Sequence, residues 1–245
     1  MIATVSDDRL AAERQFFDQQ YRDERPPLNG FYDVSGARRV YAERVLHDCA
    51  GRQVLEYGCG TGSYAFALAE CGARVVGIDI SETAIELARG KGFPADNPRF
   101  QLGNAEKLEF DDAIFDIVCG TSILHHLDID RAMRELKRVL KPGGRGVFYE
   151  PVAYNPAVNL YRWLTPQLHT PDEHPLRRGD LMSMSRFFEH VTLRFADFFA
   201  LGAIPFLRFP GGRNLLRILE AADRLAMNVP ALRWWGAVVL IELRA

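Results

Sequence analysis

The chain has 245 residues, 48% of them apolar, and 30 Lys and Arg against 32 Asp and Glu give a net charge of −2. That size supplies one large core and one elaborated domain, and the near-neutral balance creates no field to gather phosphate backbones, which disfavours nucleic acid as a substrate. The first residues carry Asp7, Asp8 and Arg9 where a leader would be basic and then apolar, and no run approaches the ~18 apolar residues of a membrane span, so the expected location is cytoplasmic. Cys49, Cys59, Cys71 and Cys119 lack paired spacing and read as small apolar fillers, not as a disulfide framework or a zinc cluster.

Helical spacing is expected over residues 8–21 and 36–50. From 53 to 150, short β-branched runs then alternate with amphipathic stretches, the pattern of a parallel sheet covered on both faces. The predicted strands are 53–57, 74–79, 99–102, 114–119 and 145–149. Helices are predicted over 63–71 and 82–90, and along Ile129, Met133, Leu136 and Leu140, with a stop at Pro142-Gly143-Gly144. Residues 151–179, rich in Pro, His and Asn, read as an irregular insertion at the carboxyl end of the fifth strand, the edge that faces ligands in open α/β sheets. A helix over 180–189 and strands over 191–195 and 235–243 follow, with a second insertion that carries a helical stripe from Leu215 to Ala226.

The strand ending Val54-Leu-Glu-Tyr turns through Gly58, Gly60 and Gly62, which brings backbone close to any bound group. A dinucleotide fingerprint needs its third glycine at 63, where Ser63 stands, so hydride chemistry is the weaker alternative. Asp79 ends the second strand, where its carboxylate can take the hydroxyls of a ribose.

Glu56-Tyr-Gly-Cys-Gly-Thr-Gly62 resembles the first motif of class I S-adenosylmethionine-dependent methyltransferases, and Gly77-Ile-Asp79-Ile-Ser resembles their second. Gly103-Asn104-Ala105-Glu106, Phe115-Asp116 through Leu127, and Glu135 through Gly144 continue the series in order. The resemblance spans roughly residues 50–150 and is strongest to the small-molecule methyltransferases of the group. It implies a doubly wound, mainly parallel, seven-stranded Rossmann-like sheet in a single domain. Residues 1–50 would form an N-terminal helical lid, 51–150 the cofactor core, and 151–186 and 199–234 two substrate caps. With S-adenosyl-L-methionine as cofactor, Gly58 and Gly60 would underlie its methionine part, Glu56 would orient the amino group, and Asp79 would bind the ribose. Ile80, Asn104 and Ala105 would hold the adenine, and Thr121 would offer its carbonyl to the amino group. Asp is commoner than Asn at position 104, and an amide exchanges the charge for a donor.

The expected reaction is methyl transfer to an O (or C) atom of a small, largely apolar acceptor. The alternatives are a nucleotide-dependent oxidoreductase or a cofactor-binding protein without turnover. Cys119-Gly-Thr-Ser122 stands where enzymes acting on base amines carry Asn/Asp-Pro-Pro-aromatic. A general base is sought in His125 or His126, since an imidazole titrates near neutral pH; helix packing is the rival use of both. Glu150 is an inward carboxylate candidate or a capped strand end. In the polar run from His169 to His174, His174 is the preferred second base. That run has two imidazoles and two carboxylates but lies on a loop, so a hydrogen-bonded cap is expected and a metal is not. Tyr154, Asn155, Asn159, Tyr161 and Arg162 line the same pocket or belong to an amphipathic helix. Phe16, Phe17, Tyr21, Phe31 and Tyr32 close over the cofactor or pack in the core. Aromatic residues from Phe187 to Trp235, interleaved with Arg208, Arg213, Arg217 and Arg233, form an apolar wall for an acceptor, a peripheral membrane contact, or a self-packed core. Either a monomer or a homodimer is compatible with these features.

Overall fold

The computed structural model describes residues 3–23, 35–93, 96–170 and 173–245. Seven strands form one sheet: β1 (Gln53–Tyr57), β2 (Arg74–Asp79), β3 (Arg99–Leu102), β4 (Phe115–Thr121), β5 (Leu140–Pro151), β6 (His190–Ala196) and β7 (Val238–Arg244). Their order is β3-β2-β1-β4-β5-β7-β6. Pairing is parallel from β3 to β5, and β7 enters antiparallel between β5 and β6. The direction of winding reverses between β1 and β4, which opens a crevice at their carboxyl ends.

Side chains alternate across the strands, so each strand feeds two cores. Leu55, Val118, Phe148 and Ile241 face one side, and Val54, Ile117, Val147 and Leu240 face the other. On the first side packs α5 (Ile129–Val139), which buries Ile129, Ala132, Met133, Leu136 and Val139 at helical spacing and is capped by the Asp128 carboxylate at the Arg131 N–H. The second side receives α2 (Gly36–Leu46), which buries Tyr41 and Val45, and α3 (Ala65–Glu70) with Ala65 and Leu68. The helix α4 (Glu82–Gly90) starts at Ser81, whose hydroxyl accepts from the Ala84 N–H. Ahead of all these, α1 (Ala3–Arg22) lies against α4.

The doubly wound α/β pattern expected from the alternation is therefore present, but several ends differ. Leu140 is the first residue of β5 and not the last apolar position of a helix, because the carbonyls of Arg138 and Val139 accept from the N–H groups of Ala113 and Ile114. Helix α3 starts at Ala65 and not at 63, since the Glu56 carboxylate caps the N–H groups of Tyr64 and Ala65. The helix expected over 180–189 is α7 (Arg178–Ser183) followed by a 3₁₀ turn. Trp235 lies in another 3₁₀ turn, and β7 begins three residues later. Cys49, Cys59 and Cys119 are buried fillers, whereas Cys71 is exposed at the end of α3.

The first insertion forms α6 (Pro156–Leu164), capped by the Asn155 side chain, and returns to the sheet edge through a bridge between Val152 and Leu176. The second forms a 3₁₀ segment (Ala200–Phe206) and α8 (Gly212–Ala226). Asp223 of α8 is buried and accepts from the N–H groups of Phe199 and Ala200. Nearby Asp197, 3% exposed, accepts from the Ser35 hydroxyl and holds a φ of 63°.

Burial pushes Asp197 up to about 7 against the Ser35 hydrogen bond, and the charges of Asp223 and Glu220 add to the rise. A raised carboxylate contributes stability that is complete below its unfolded value and is lost as pH rises through its folded value. Ionisation here costs on the order of 4 kcal/mol. Asp197→Asn removes the titration and keeps a residue that tolerates positive φ. Urea denaturation should show the wild type losing stability between pH 5 and pH 8, and the Asp197→Asn variant losing less, the remainder belonging to raised groups such as Glu56; equal losses would remove Asp197 as a contributor.

Candidate functional site at the carboxyl edge of the sheet

Gly58, Gly60 and Gly62 follow β1 with φ of 64°, 52° and 85°, which favour glycine at each. The turn is tied to the second strand through Asp79, whose Oδ2 accepts from the Gly60 N–H at 2.8 Å and whose Oδ1 accepts from the Ser81 N–H at 2.9 Å. Burial raises Asp79 above the ordinary carboxylate range in spite of those amides. Glu56, 3% exposed, is pushed up to about 8 by burial, against the two α3 amides it caps.

Helix α1 roofs this turn. A Cβ placed on Gly60 would stand 2.5 Å from the Tyr21 hydroxyl, so only glycine admits that side chain. Asp18 accepts from the Ser81 hydroxyl at 2.6 Å and the Thr83 N–H at 3.1 Å. Between α1 and the sheet edge lies a cleft of about 520 Å³, bordered by Asp18, Gln19, Ile80 and Asn104. The Asn104 side chain accepts from the Glu106 N–H, and the Ala105 carbonyl accepts from the Tyr57 hydroxyl.

The loop after β4 forms the other wall. Its Ile123 lies within 3.0 Å of where a Gly58 Cβ would stand, so the two loops touch. Glu150, wholly buried at the end of β5, accepts from the N–H groups of Ile123 and Leu124 and from Nδ1 of His125 at 2.8 Å. On the opposite nitrogen, Nε2 of His125 is 3.6 Å from Glu173. Glu173 also takes the Arg162 guanidinium and Nδ1 of His169 at 3.2 Å. His126 stacks beside His125 with ring centroids 4.1 Å apart and meets the edge of Phe17 from α1 at 5.2 Å. Its Nδ1 lies 3.3 Å from Glu13 but outside hydrogen-bonding geometry, so that contact is electrostatic.

These surroundings separate two adjacent imidazoles. Burial alone would lower His125, but the hydrogen bonds and charges of Glu150 and Glu173 override it and push the group up to about 9. His126 falls below 6.5, first through burial and then through the charge of His125. Burial would raise Glu173, yet its bonds from His125 and His169 hold it far below the carboxylate range. One cationic and one neutral imidazole thus stand side by side at neutral pH. Ligand atoms of His125, His126 and Glu173 come within 4.8 Å of one another, and the Arg162 guanidinium on the same carboxylate already brings the positive charge a cation would supply.

The fold gathers Glu56, Gly58, Gly60, Asp79, Ile80, Asn104, Ala105 and Thr121 along one edge, with His125, His126 and Glu150 beside them. His174 is apart: its side chain is exposed while its backbone N–H reaches the His125 carbonyl at 3.4 Å, and the preceding Glu173 turns inward. Phe31, Tyr32 and Asp172 fall outside the described residues. Tyr154, Asn155, Asn159 and Tyr161 serve the cap, and Arg162 reaches the cluster from α6.

Sequence reasoning gives no place to Arg9, Glu13 or Asp18. Arg9 pairs with Glu106 and donates to the His126 carbonyl, and Glu13 accepts from the Thr170 hydroxyl at 2.5 Å. Partners this far along the chain leave no spacing signal.

Residues 55–148 match the family model described as a methyltransferase domain. A demethylmenaquinone methyltransferase of Staphylococcus aureus (strain MRSA252) is 30% identical over 212 residues, covering 84% of this chain and 81% of that protein. Among solved structures, an S-adenosylmethionine-dependent methyltransferase from Mesorhizobium loti superposes with a TM-score of 0.60 at 21% identity, covering 86% of this chain and 99% of that one. Geranyl diphosphate C-methyltransferase from Streptomyces coelicolor gives a TM-score of 0.58 at 17% identity, over 85% and 78% of the two chains. With the glycine turn, the Asp79 bridge and the strand order of its sheet, the chain belongs to the class I S-adenosylmethionine-dependent methyltransferases.

Proposed function

We propose that this methyltransferase transfers its methyl group to an oxygen, or to an activated carbon, of a small and largely apolar acceptor, with neutral His126 as general base. The observation that carries this reading is the pair of stacked, buried imidazoles on the loop that meets the glycine turn, one of them held between Glu150 and Glu173 and the other not. The residues present suit the cofactor. The glycine turn presents bare backbone between Ile123 and Tyr21, and beside it a cleft of about 520 Å³ falls inside the range of about 300–1,000 Å³ usual for small ligands. When bound, S-adenosyl-L-methionine supplies a methyl group on a sulfonium, which is electrophilic without further activation. Asp79 would take the ribose, Ile80, Asn104 and Ala105 would border the adenine, and Thr121 would turn its carbonyl toward the amino group. Glu56 acts by fixing the start of α3 and the turn before it.

His126 would accept the acceptor's proton, and His125, fixed between Glu150 and Glu173, keeps the loop in place and adds a positive charge next to the anion that forms. Phe17 of α1 packs on His126, and Tyr21 covers the glycine turn. A cavity of about 320 Å³ lined by Tyr154, Arg178, Trp234 and Trp235 offers aromatic walls and a guanidinium 5.5 Å from the Trp234 ring centre, which favours an apolar acceptor. The demethylmenaquinone named for the Staphylococcus aureus relative belongs among the acceptors to assay. As part of this reading, residues 1–50, 51–150, 151–186 and 199–234 act as lid, core and two caps of one domain. The cytoplasm remains the proposed compartment, supported by three buried free thiols.

Calorimetric titration of the protein with S-adenosylhomocysteine should give micromolar binding, with NAD inert, and Asp79→Ala should weaken it by about 30-fold or more through the loss of charge-assisted hydrogen bonds. Preference for NAD would overturn the cofactor assignment.

With a turned-over acceptor, kcat should rise with pH through the lowered value of His126, because the base must be neutral, and should fall through about 9 as His125 loses its proton. His126→Gln should lower kcat by about 10²–10⁴-fold with cofactor affinity kept. His125→Gln should abolish the alkaline limb. An unchanged kcat in the first variant would remove His126 as base.

A further inference from the structure

We propose that the second insertion is a docking surface for an anionic lipid membrane, with α8 lying along the interface and the preceding 3₁₀ segment inserted beside it. Among the described residues no helix is long and apolar enough to cross a membrane, so the contact is peripheral. Large apolar side chains of this insertion face solvent, the most exposed being Phe206 at 50%, Phe209 at 65%, Ile218 at 65% and Leu225 at 75%. Arg208, Arg213, Arg217 and Arg224 are exposed among them. On α8, Arg213, Arg217 and Arg224 share one stripe and Ile218 and Leu225 the next, which is the layout of an interfacial helix.

The charges are weighted to one sign. The two carboxylates between Phe199 and Trp235 are Glu220 and Asp223; Asp223 is turned inward, and Glu220 lies half-buried on the arginine stripe, one turn from Arg217 and from Arg224. Asp223 is buried under the 3₁₀ segment, and Glu220 stands 2.8 Å from where a Gly36 Cβ would be, against the start of α2. Four exposed arginines therefore meet one half-buried carboxylate from their own insertion, a positive excess on a chain that is acidic by two charges.

Charge complementarity selects the occupant. Two copies meeting through this face would oppose four arginines to four with only one half-buried glutamate on each side to answer them, which disfavours a symmetric dimer. Nucleic acid would take the arginines but leave the apolar side chains in water. An anionic bilayer accepts both, with about 1 kcal/mol for each arginine near the surface and further gain from apolar burial. The first cap extends the apolar exposure: α6 turns Leu160, Trp163 and Leu164 outward while its Arg162 reaches Glu173. Asn155, which caps α6, donates to the Trp235 carbonyl, so the two caps adjoin. An acceptor dissolved in the membrane would then reach the edge of the sheet through the caps. Docking itself is independent of which residue is the base.

The test is flotation of the full chain with vesicles of phosphatidylcholine alone and of phosphatidylcholine with phosphatidylglycerol. Binding is expected only to the second and should fall at high salt. Arg213→Ala with Arg217→Ala should reduce partitioning by roughly 25-fold, and Ile218→Ser with Leu225→Ser should reduce it by at least tenfold. S-adenosylhomocysteine binding should be unchanged in both, which shows that they fold and separates this result from the cofactor assignment. A wild type that stays off anionic vesicles overturns the proposal. So does wild-type partitioning by either variant pair, or a solution dimer that Ile218→Ser with Leu225→Ser turns into monomers.

Discussion

The carboxylate of Glu150 is the constraint on which the loop after β4 depends. Its two oxygens hold the N–H groups of Ile123 and Leu124 and the Nδ1 of His125, so one buried side chain fixes a loop, a ring orientation and a charge state. A buried carboxylate with three donors is satisfied; truncating it would leave those donors and the imidazolium uncompensated, at a cost of several kcal/mol. The same loop presses Ile123 on Gly58, so the position of Glu150 at the end of β5 is transmitted to the glycine turn. Parallel register between β4 and β5, which sets Thr121 opposite Tyr149, places the two in reach.

Helix α1 completes the site from a distant part of the chain. Arg9 holds Glu106 and the His126 carbonyl, Glu13 holds Thr170, Asp18 holds Ser81, and Tyr21 covers Gly60. These four attachments run along one helix and touch both the cofactor wall and the acceptor wall. A roof held by side-chain hydrogen bonds along one helix is the kind of attachment that the proposed lid role requires.

Two charge arrangements in the molecule follow the same rule with opposite results. In the site, Glu150 and Glu173 are brought together under cover and hold His125 as a cation. In the second insertion, Asp223 is turned inward and four arginines are left outside with only half-buried Glu220 among them, which gives an acidic protein a basic, apolar face. Net charge by itself describes neither, because field and partner choice depend on where charges sit.

Local chemistry determined the part of this protein that a sequence displays. Three glycines at fixed offsets after a buried strand, a carboxylate at the end of the next strand, and the change between strand and helix periodicity depend on neighbours a few residues apart, and they settle the fold and the cofactor class. Glu173 in place of His174 could not be read in this way, since consecutive loop residues point apart and only the packed cap decides which one turns inward. Nor could the charge of His125, which two carboxylates 25 and 48 positions away create, or the roles of Arg9, Glu13 and Asp18, whose partners lie far along the chain. Tertiary structure alone decided these, because burial and Coulomb interaction act through space and leave no period in the sequence.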